Sequence, residues 1–352
     1  MGRKTMFLKR GNKRTVTDKV FIIAEAGVNH NGSIKIAKRL IDAASQAGAD
    51  AVKFQTFKAE SLVSVCAPKA EYQKNVTDRD ETQLEMLKKL ELTAGEFKKI
   101  AGYAKKKNII FLSSPFDKES ADALDKIGIR IFKIPSGEIT NIPLLKHIAR
   151  KGKPVILSTG MSDLKEIKAA LGVIRKEGVK DITLLQCVTN YPASIKDVNL
   201  RTIQTMKRFF KLPVGFSDHT TGIIASIVAV ALGASVIEKH FTLDKSMSGP
   251  DHKASLEPEE FREMVKAIRD VGMSMGDGIK RPAKSEDMIK KVVRKSVVSS
   301  VYMPKGAVLT REMIDIKRPG TGIPPALMNQ VIGKRARVNI AKDSLINFKD
   351  LA

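Results

Sequence analysis

Residues 20–55 read VFIIAEAGVNHNGSIKIAKRLIDAASQAGADAVKFQ. An apolar, β-rich run (Val20–Ala26) passes through a polar loop into Ser33–Ala47, where apolar residues recur at helical spacing, and then into a second short run, Ala51–Gln55. That is one strand–helix–strand unit. The rhythm continues through Ile109–Ser113, Ile131–Ile134, Val155–Ser158, Ile182–Cys187, Val214–Ser217 and Val236–Lys239. Helical segments at Ala94–Lys106, Ser120–Ile127, Ile142–Ala149, Leu164–Glu177, Leu200–Phe210, Ile223–Leu232 and Pro258–Met275 separate or follow these runs. Eight strands with helices between them predict an α/β fold, a closed (β/α)8 TIM barrel over residues 20–276, in preference to an open sheet.

After Gly276 the stretch GDGIKRPAKSE breaks the rhythm and reads as a linker, residues 277–285. Residues 286–352 carry SVVSSVYM, AVLT and ARVNI between Pro/Gly turns and predict a small, mostly β and irregular domain. Its core would be thin, so docking on something larger would help it. At the other end, residues 1–19 form a basic extension.

The 352 residues hold 62 Lys+Arg against 38 Asp+Glu, a net charge of +24. A hydrophobic fraction of 43% is ordinary globular usage and excludes a disordered chain. The lysines scatter over helix faces, aromatics are 5% and Trp is absent, so stacking platforms for nucleic acid are scarce and no reader motif appears, which predicts no nucleic-acid partner. The charge instead favours capture of an anionic substrate. The N-terminus lacks the apolar core of a signal peptide, and the longest apolar stretch, Ile223–Ile237, is too short to span a membrane and reads as a buried helix running into a buried strand. Cys66 and Cys187 match no disulfide or zinc spacing. These features predict a cytoplasmic protein with no membrane span.

The functional face of such a barrel is the one where the strands end. Polar residues gather there on nearly every strand: Glu25 before Asn29-His30-Asn31-Gly32; Lys53 and Gln55; Ser113-Ser114; Lys133 before Ser136-Gly137-Glu138; Ser158-Thr159-Gly160; Thr189-Asn190-Tyr191; Ser217-Asp218-His219; and Glu238-Lys239-His240. Singly, each has an ordinary reading: a snorkelling lysine, a structural ion pair, turn chemistry. Their convergence on one mouth is what singles them out. Two lysines with several hydroxyls suit a small molecule carrying phosphate and carboxylate, such as phosphoenolpyruvate. His219 and His240 leave adjacent strands at matching depth and can share one divalent ion. His30 and His252 are weaker candidates, and His147 reads as a solvated helix residue.

The stretches IIAEAGVNHNG, ADAVKFQTF, FLSSPFD, FKIPSGEITN, ILSTGM, GFSDHT, GASVIEKHFTLD, GPDHKAS and RPGTGI together resemble the sialic acid synthase family, from about residue 20 to the C-terminus. The resemblance implies a TIM barrel followed by a small antifreeze-like (SAF, β-clip) domain, in a domain-swapped homodimer. It implies a divalent metal at His219 and His240, commonly manganese, with magnesium or cobalt as alternatives. Lys53, Ser114, Lys133, Ser136, Ser158 and Ser217 fall where the family binds phosphoenolpyruvate. Glu25, Gln55, Tyr191 and Asp251 fall on the amino-sugar side, with Glu138 in the same substrate pocket. Arg318 matches the arginine that the partner subunit delivers to the sugar's N-acetyl group. Thr189 and Asn190 compete for one phosphoenolpyruvate contact.

The expected activity is N-acetylneuraminate (sialic acid) synthesis, a metal-dependent condensation of phosphoenolpyruvate with N-acetylmannosamine and water that releases phosphate. Glu238 is favoured over Glu25 as the base, with Lys53 and Lys133 stabilising phosphate charge. The alternative is an N,N'-diacetyllegionaminate synthase acting on 2,4-diacetamido-2,4,6-trideoxymannose. An octulosonate or heptulosonate synthase is disfavoured by the SAF-like domain. A non-catalytic sugar- or polyanion-binding scaffold is the reading from a different class.

Overall fold

A computed structural model describes residues 19–352 apart from 75, 76 and 79. The basic extension 1–19 therefore lies outside the described residues except for Lys19, whose Nζ meets Asp50 Oδ1 at 3.0 Å. The chain divides into two compact units between Asp277 and Gly278.

The first unit is a barrel of eight parallel strands: β1 (Phe21–Gly27), β2 (Ala51–Thr56), β3 (Ile110–Pro115), β4 (Phe132–Ile134), β5 (Val155–Ser158), β6 (Ile182–Cys187), β7 (Val214–Asp218) and β8 (Val236–His240). Hydrogen-bonded neighbours run β3-β2-β1-β8-β7-β6-β5-β4, and β3 and β4 come alongside each other to complete the ring. Local chemistry starts the helices between strands. Ser33 caps Ile34–Gln46 by accepting from the Ile36 N–H, and Thr93 with Glu96 forms a reciprocal capping box for Ala94–Lys106. Ala37, Leu40, Ile41 and Ala44 of Ile34–Gln46 then share a core with outward strand residues Ile22, Ala24, Val52 and Phe54.

Strand alternation sorts the barrel lumen. Ile23, Ala51, Leu112, Ile131, Ile156, Leu185 and Val236 form one buried apolar cluster, a residue from every strand or strand start except β7. β7 supplies Gly215 instead. A Cβ there would lie 2.4 Å from the Val236 carbonyl oxygen and 2.7 Å from Leu185 Cδ2. Gly215→Ala is therefore expected to cost about 1–3 kcal/mol by overpacking; urea unfolding would show it, and an unchanged midpoint would contradict it.

Two features depart from the sequence reading. The segment between β2 and β3 carries more than the one expected helix: Gln83–Leu90, opened by a Thr82–Glu85 capping box, buries Met86, Leu87 and Leu90 against Val28, Phe57 and Ala59. The apolar stretch starting at Ile223 makes helix Ile224–Ala231, but Ile224 and Val228 are exposed, so it is not wholly buried. Among the described residues, no helix is long and apolar enough to cross a membrane.

The second unit has its own core, including Val297, Met303, Leu309, Ile314, Val331, Ile340 and Ile346. It contains one antiparallel pair, β9 (Ser296–Ser299) with β10 (Ile314–Lys317). AVLT and ARVNI make isolated bridges, Val308↔Arg335 and Met303↔Ile340, rather than strands, because turns such as Pro304-Lys305-Gly306 interrupt the ladder. Asp287–Val293 is a short helix.

Candidate active site

Two residues beyond the apolar cluster, every strand or its end turns inward again, and the character changes completely. The positions are Glu25, Lys53, Ser114, Lys133, Ser158, Cys187, Ser217 and Glu238, all of them buried. Lys53 Nζ lies 2.9 Å from Glu25 Oε2 and 3.6 Å from Glu238 Oε2, and donates to Ser114 Oγ at 3.2 Å. Lys133 Nζ lies 3.1 Å from Glu238 Oε1, which also accepts from Ser217 Oγ at 2.9 Å. The four charged residues thus form one buried network. Ser158 Oγ is buried without a hydrogen-bond partner.

The two carboxylates are not equivalent. Burial raises both, but Glu238 faces Lys133 and Lys53 and accepts from Ser217, so its pKa falls to about 2. Glu25 is pushed up to about 7 by burial, which Lys53 only partly offsets and the neighbouring Glu238 charge reinforces. Burial also lowers the Lys133 ammonium, against the pull of Glu238.

One step further out stand Gln55, Thr189, His219 and His240. Gln55 Nε2 donates to Glu25 Oε1 at 3.3 Å. Ser136 Oγ and Thr189 Oγ1 are 2.9 Å apart, and a Cβ on Gly160 would lie 2.1 Å from that threonine oxygen. Asn190 is exposed, with its Oδ1 accepting from the Tyr191 N–H; Thr189 is the one brought to Ser136. The Tyr191 ring centroid sits 4.2 Å from that of His219 and 5.3 Å from that of His240. Glu138 Oε2 accepts from Asn141 Nδ2 at 2.7 Å, and burial raises its carboxyl. Asp251 is pushed by burial to about 6, with Oδ2 3.9 Å from His240 Nδ1. Arg318 belongs to the second unit, where its Nε donates to the Val293 carbonyl at 3.0 Å.

The His219 and His240 ring centroids are 5.6 Å apart. His219 Nδ1 lies 2.6 Å from the Val188 carbonyl, which fixes the tautomer and leaves Nε2 as the lone pair. His240 Nδ1 is buried and unpartnered. Burial pushes both imidazoles down, His219 to about 4, so both are neutral and able to ligate. Among the described residues no group of three or more His, Cys, Asp or Glu could hold a metal; the donor set fits an open two-histidine site, completed by water or substrate oxygens.

Each of the other histidines has a hydrogen-bond partner in the protein, and His30 also keeps a buried Nε2 without one. His252 uses both ring nitrogens, on Thr242 Oγ1 at 2.6 Å and Asn31 Oδ1 at 3.1 Å, and His30 Nδ1 accepts from the Gly32 N–H. His147 is not simply solvated: its Nε2 lies 2.8 Å from Asp122 Oδ1. Cys187 was missed as a site residue, although counting inward positions along β6 finds it; its Sγ accepts from the Gly160 N–H at 3.1 Å.

A barrel mouth that gathers two lysines, two unequal carboxylates and a pair of neutral imidazoles defines an enzyme acting on an anionic small molecule. Comparison with known proteins agrees. Residues 40–280 match the NeuB family and residues 294–352 the SAF domain. The chain is 54% identical over 330 residues to the N,N'-diacetyllegionaminic acid synthase of Campylobacter jejuni, covering 93% of this chain and 99% of that one. It is 48% identical to the protein of the same name from Legionella pneumophila, with 94% of each covered. The crystal structure of the N-acetylneuraminic acid (sialic acid) synthetase of Leptospira borgpetersenii is 37% identical, with a TM-score of 0.68 over 77% of this chain and 90% of that one. The chain belongs to the NeuB family of sialic and legionaminic acid synthases, and is an enzyme rather than a scaffold.

Proposed function

We propose that this enzyme condenses phosphoenolpyruvate with 2,4-diacetamido-2,4,6-trideoxymannose and water, giving N,N'-diacetyllegionaminate and phosphate, in the cytoplasm. The observation that carries the acceptor is the gradient of identity: 54% and 48% to the two proteins named N,N'-diacetyllegionaminic acid synthase, against 37% to the sialic acid synthetase. N-acetylmannosamine, the acceptor first expected, thereby becomes the weaker reading.

Lys53 and Lys133 bind the phosphate and carboxylate of phosphoenolpyruvate, with Ser114, Ser136 and Ser158 donating hydroxyls, Ser217 beside them with its hydroxyl donating to Glu238, and Thr189 holding Ser136. C3 of phosphoenolpyruvate forms the new bond to the acceptor's aldehyde carbon, whose oxygen becomes a hydroxyl on taking a proton. His219 and His240 would hold a divalent cation, manganese in the first instance; bound there, it supplies Lewis-acid polarisation of the aldehyde. Water then adds to C2, and the tetrahedral species loses phosphate by C–O cleavage to leave the ketone. We assign the removal of the water's proton to Glu25 instead of Glu238. A base pinned as a carboxylate by two ammoniums accepts protons poorly, whereas one that titrates near 7 is matched to the task. Gln55, Glu138, Tyr191 and Asp251 orient the acceptor.

Phosphate release with manganese, measured with each of the two sugars and with or without EDTA, tests this reading. The diacetamido sugar is expected to lead in kcat/KM by about tenfold or more, and EDTA to abolish release; a preference for N-acetylmannosamine would overturn the acceptor. Arg318 contacts an acetamido group of the acceptor across a swapped homodimer in this reading, so Arg318→Ala should raise the acceptor KM far more than that of phosphoenolpyruvate. A selective loss on the phosphoenolpyruvate side would contradict that role.

A further inference from the structure

We propose that Asp218 and Lys239 form a positioning clamp that sets the spacing of the His219 and His240 rings for a shared divalent cation; this rests on the two-histidine reading above. The ladder between β7 and β8 pairs Phe216↔Ile237, Ser217↔Glu238 and Asp218↔Lys239 and stops there, one residue short of both histidines. Side chains take over where the backbone pairing ends.

Alternation turns Ser217 and Glu238 into the mouth and Asp218 and Lys239 to the opposite, outer face, where both are fully buried. Lys239 Nζ meets Asp218 Oδ2 at 3.1 Å and also donates to the Thr220 carbonyl. One ammonium, on the residue before His240, thus grips the residues on both sides of His219. Asp218 is held tightly in turn. Its Oδ1 accepts from the Thr220 N–H at 2.9 Å and the Thr220 hydroxyl at 2.7 Å, and its Oδ2 accepts from Ser226 Oγ at 2.6 Å, on helix Ile224–Ala231. The other side of His240 is fixed by backbone: it pairs with Glu25 on β1, whose carbonyl accepts from the Phe241 N–H at 2.8 Å.

A buried ion pair adds little stability over an apolar pair of similar volume, so holding two strands together does not by itself account for these charges. What they add is direction. An ammonium shared between two fixed acceptors sets a distance, and here it does so for the backbone on either side of His219 without touching the ring, so it acts on the metal site through ligand placement.

Cobalt(II) titration of the metal-free, full-length chain, followed by visible absorption, tests the clamp. Wild type is expected to bind cobalt and His240→Ala to lose it. The double variant Asp218→Asn/Lys239→Met, an uncharged pair of similar size, is expected to raise the cobalt Kd by about 10- to 100-fold and to alter the d–d band, with phosphoenolpyruvate binding in the absence of metal unchanged. Ser226→Ala removes one hold on Asp218 and keeps both charges. It should shift the Kd in the same direction by a smaller factor, and it keeps the test open if the double variant does not fold. Folded variants with wild-type Kd and spectrum would overturn the clamp while leaving the two-histidine site standing. A wild type that binds no cobalt, or a His240→Ala chain that binds it unchanged, overturns the two-histidine site itself, and the clamp with it.

Discussion

Glu25→Gln is expected to lower turnover by about 10²- to 10⁴-fold, the range typical of a lost general base, while phosphoenolpyruvate still binds. The amide keeps the volume and one acceptor for Gln55 and Lys53, so the network around it changes little beyond the lost charge. The pH profile makes the assignment specific. Burial holds Glu25 near 7; a base must be ionised to act, so wild-type kcat/KM should climb as pH rises through about 7 and then level off. The variant should lack that limb. Glu238→Gln behaves differently on this account, because removing a carboxylate that faces both lysines leaves more net positive charge and should lower the KM for phosphoenolpyruvate. Near-normal turnover in Glu25→Gln would return the role to Glu238.

The second large effect is on stability. Lys53→Met removes the cation between Glu25, at 2.9 Å, and Glu238, at 3.6 Å, and leaves two buried carboxylates facing only Lys133. Breaking a buried pair in this way costs about 3–5 kcal/mol. For a unit of this size that corresponds to a drop in Tm of about 6–20 °C. Calorimetry would measure it, and Lys53→Met/Glu25→Gln should recover part of the loss, since one orphaned charge is gone. A wild-type Tm in the single variant would mean that the carboxylates are neutral in the folded protein.

The strands were legible because short apolar runs such as Ala51–Gln55 and Val236–Lys239 need only a period of two to be recognised, and the inward residues of the mouth follow from counting. Gln83–Leu90 was not legible: its apolar residues, Met86, Leu87 and Leu90, form a face only against Val28 and Phe57, which are distant in sequence. Nor could sequence show how the two carboxylates differ, and its preference for Glu238 as the base rested on position alone. Their difference comes from which ammonium lies nearest each oxygen, a property of the closed ring. Asp218 and Lys239 read simply as members of polar strand ends until β7 and β8 were placed side by side. In the second unit, AVLT and ARVNI have strand composition, yet the intervening turns leave them with isolated bridges.

The apolar cluster of Ile23, Ala51, Leu112, Ile131, Ile156, Leu185 and Val236 makes the barrel a blind-ended well. Traffic can pass only through the mouth, so of two ligands stacked in it the lower must arrive first and depart last. A plug of aliphatic side chains one layer below the charged residues would in that way set the order in which two such ligands enter.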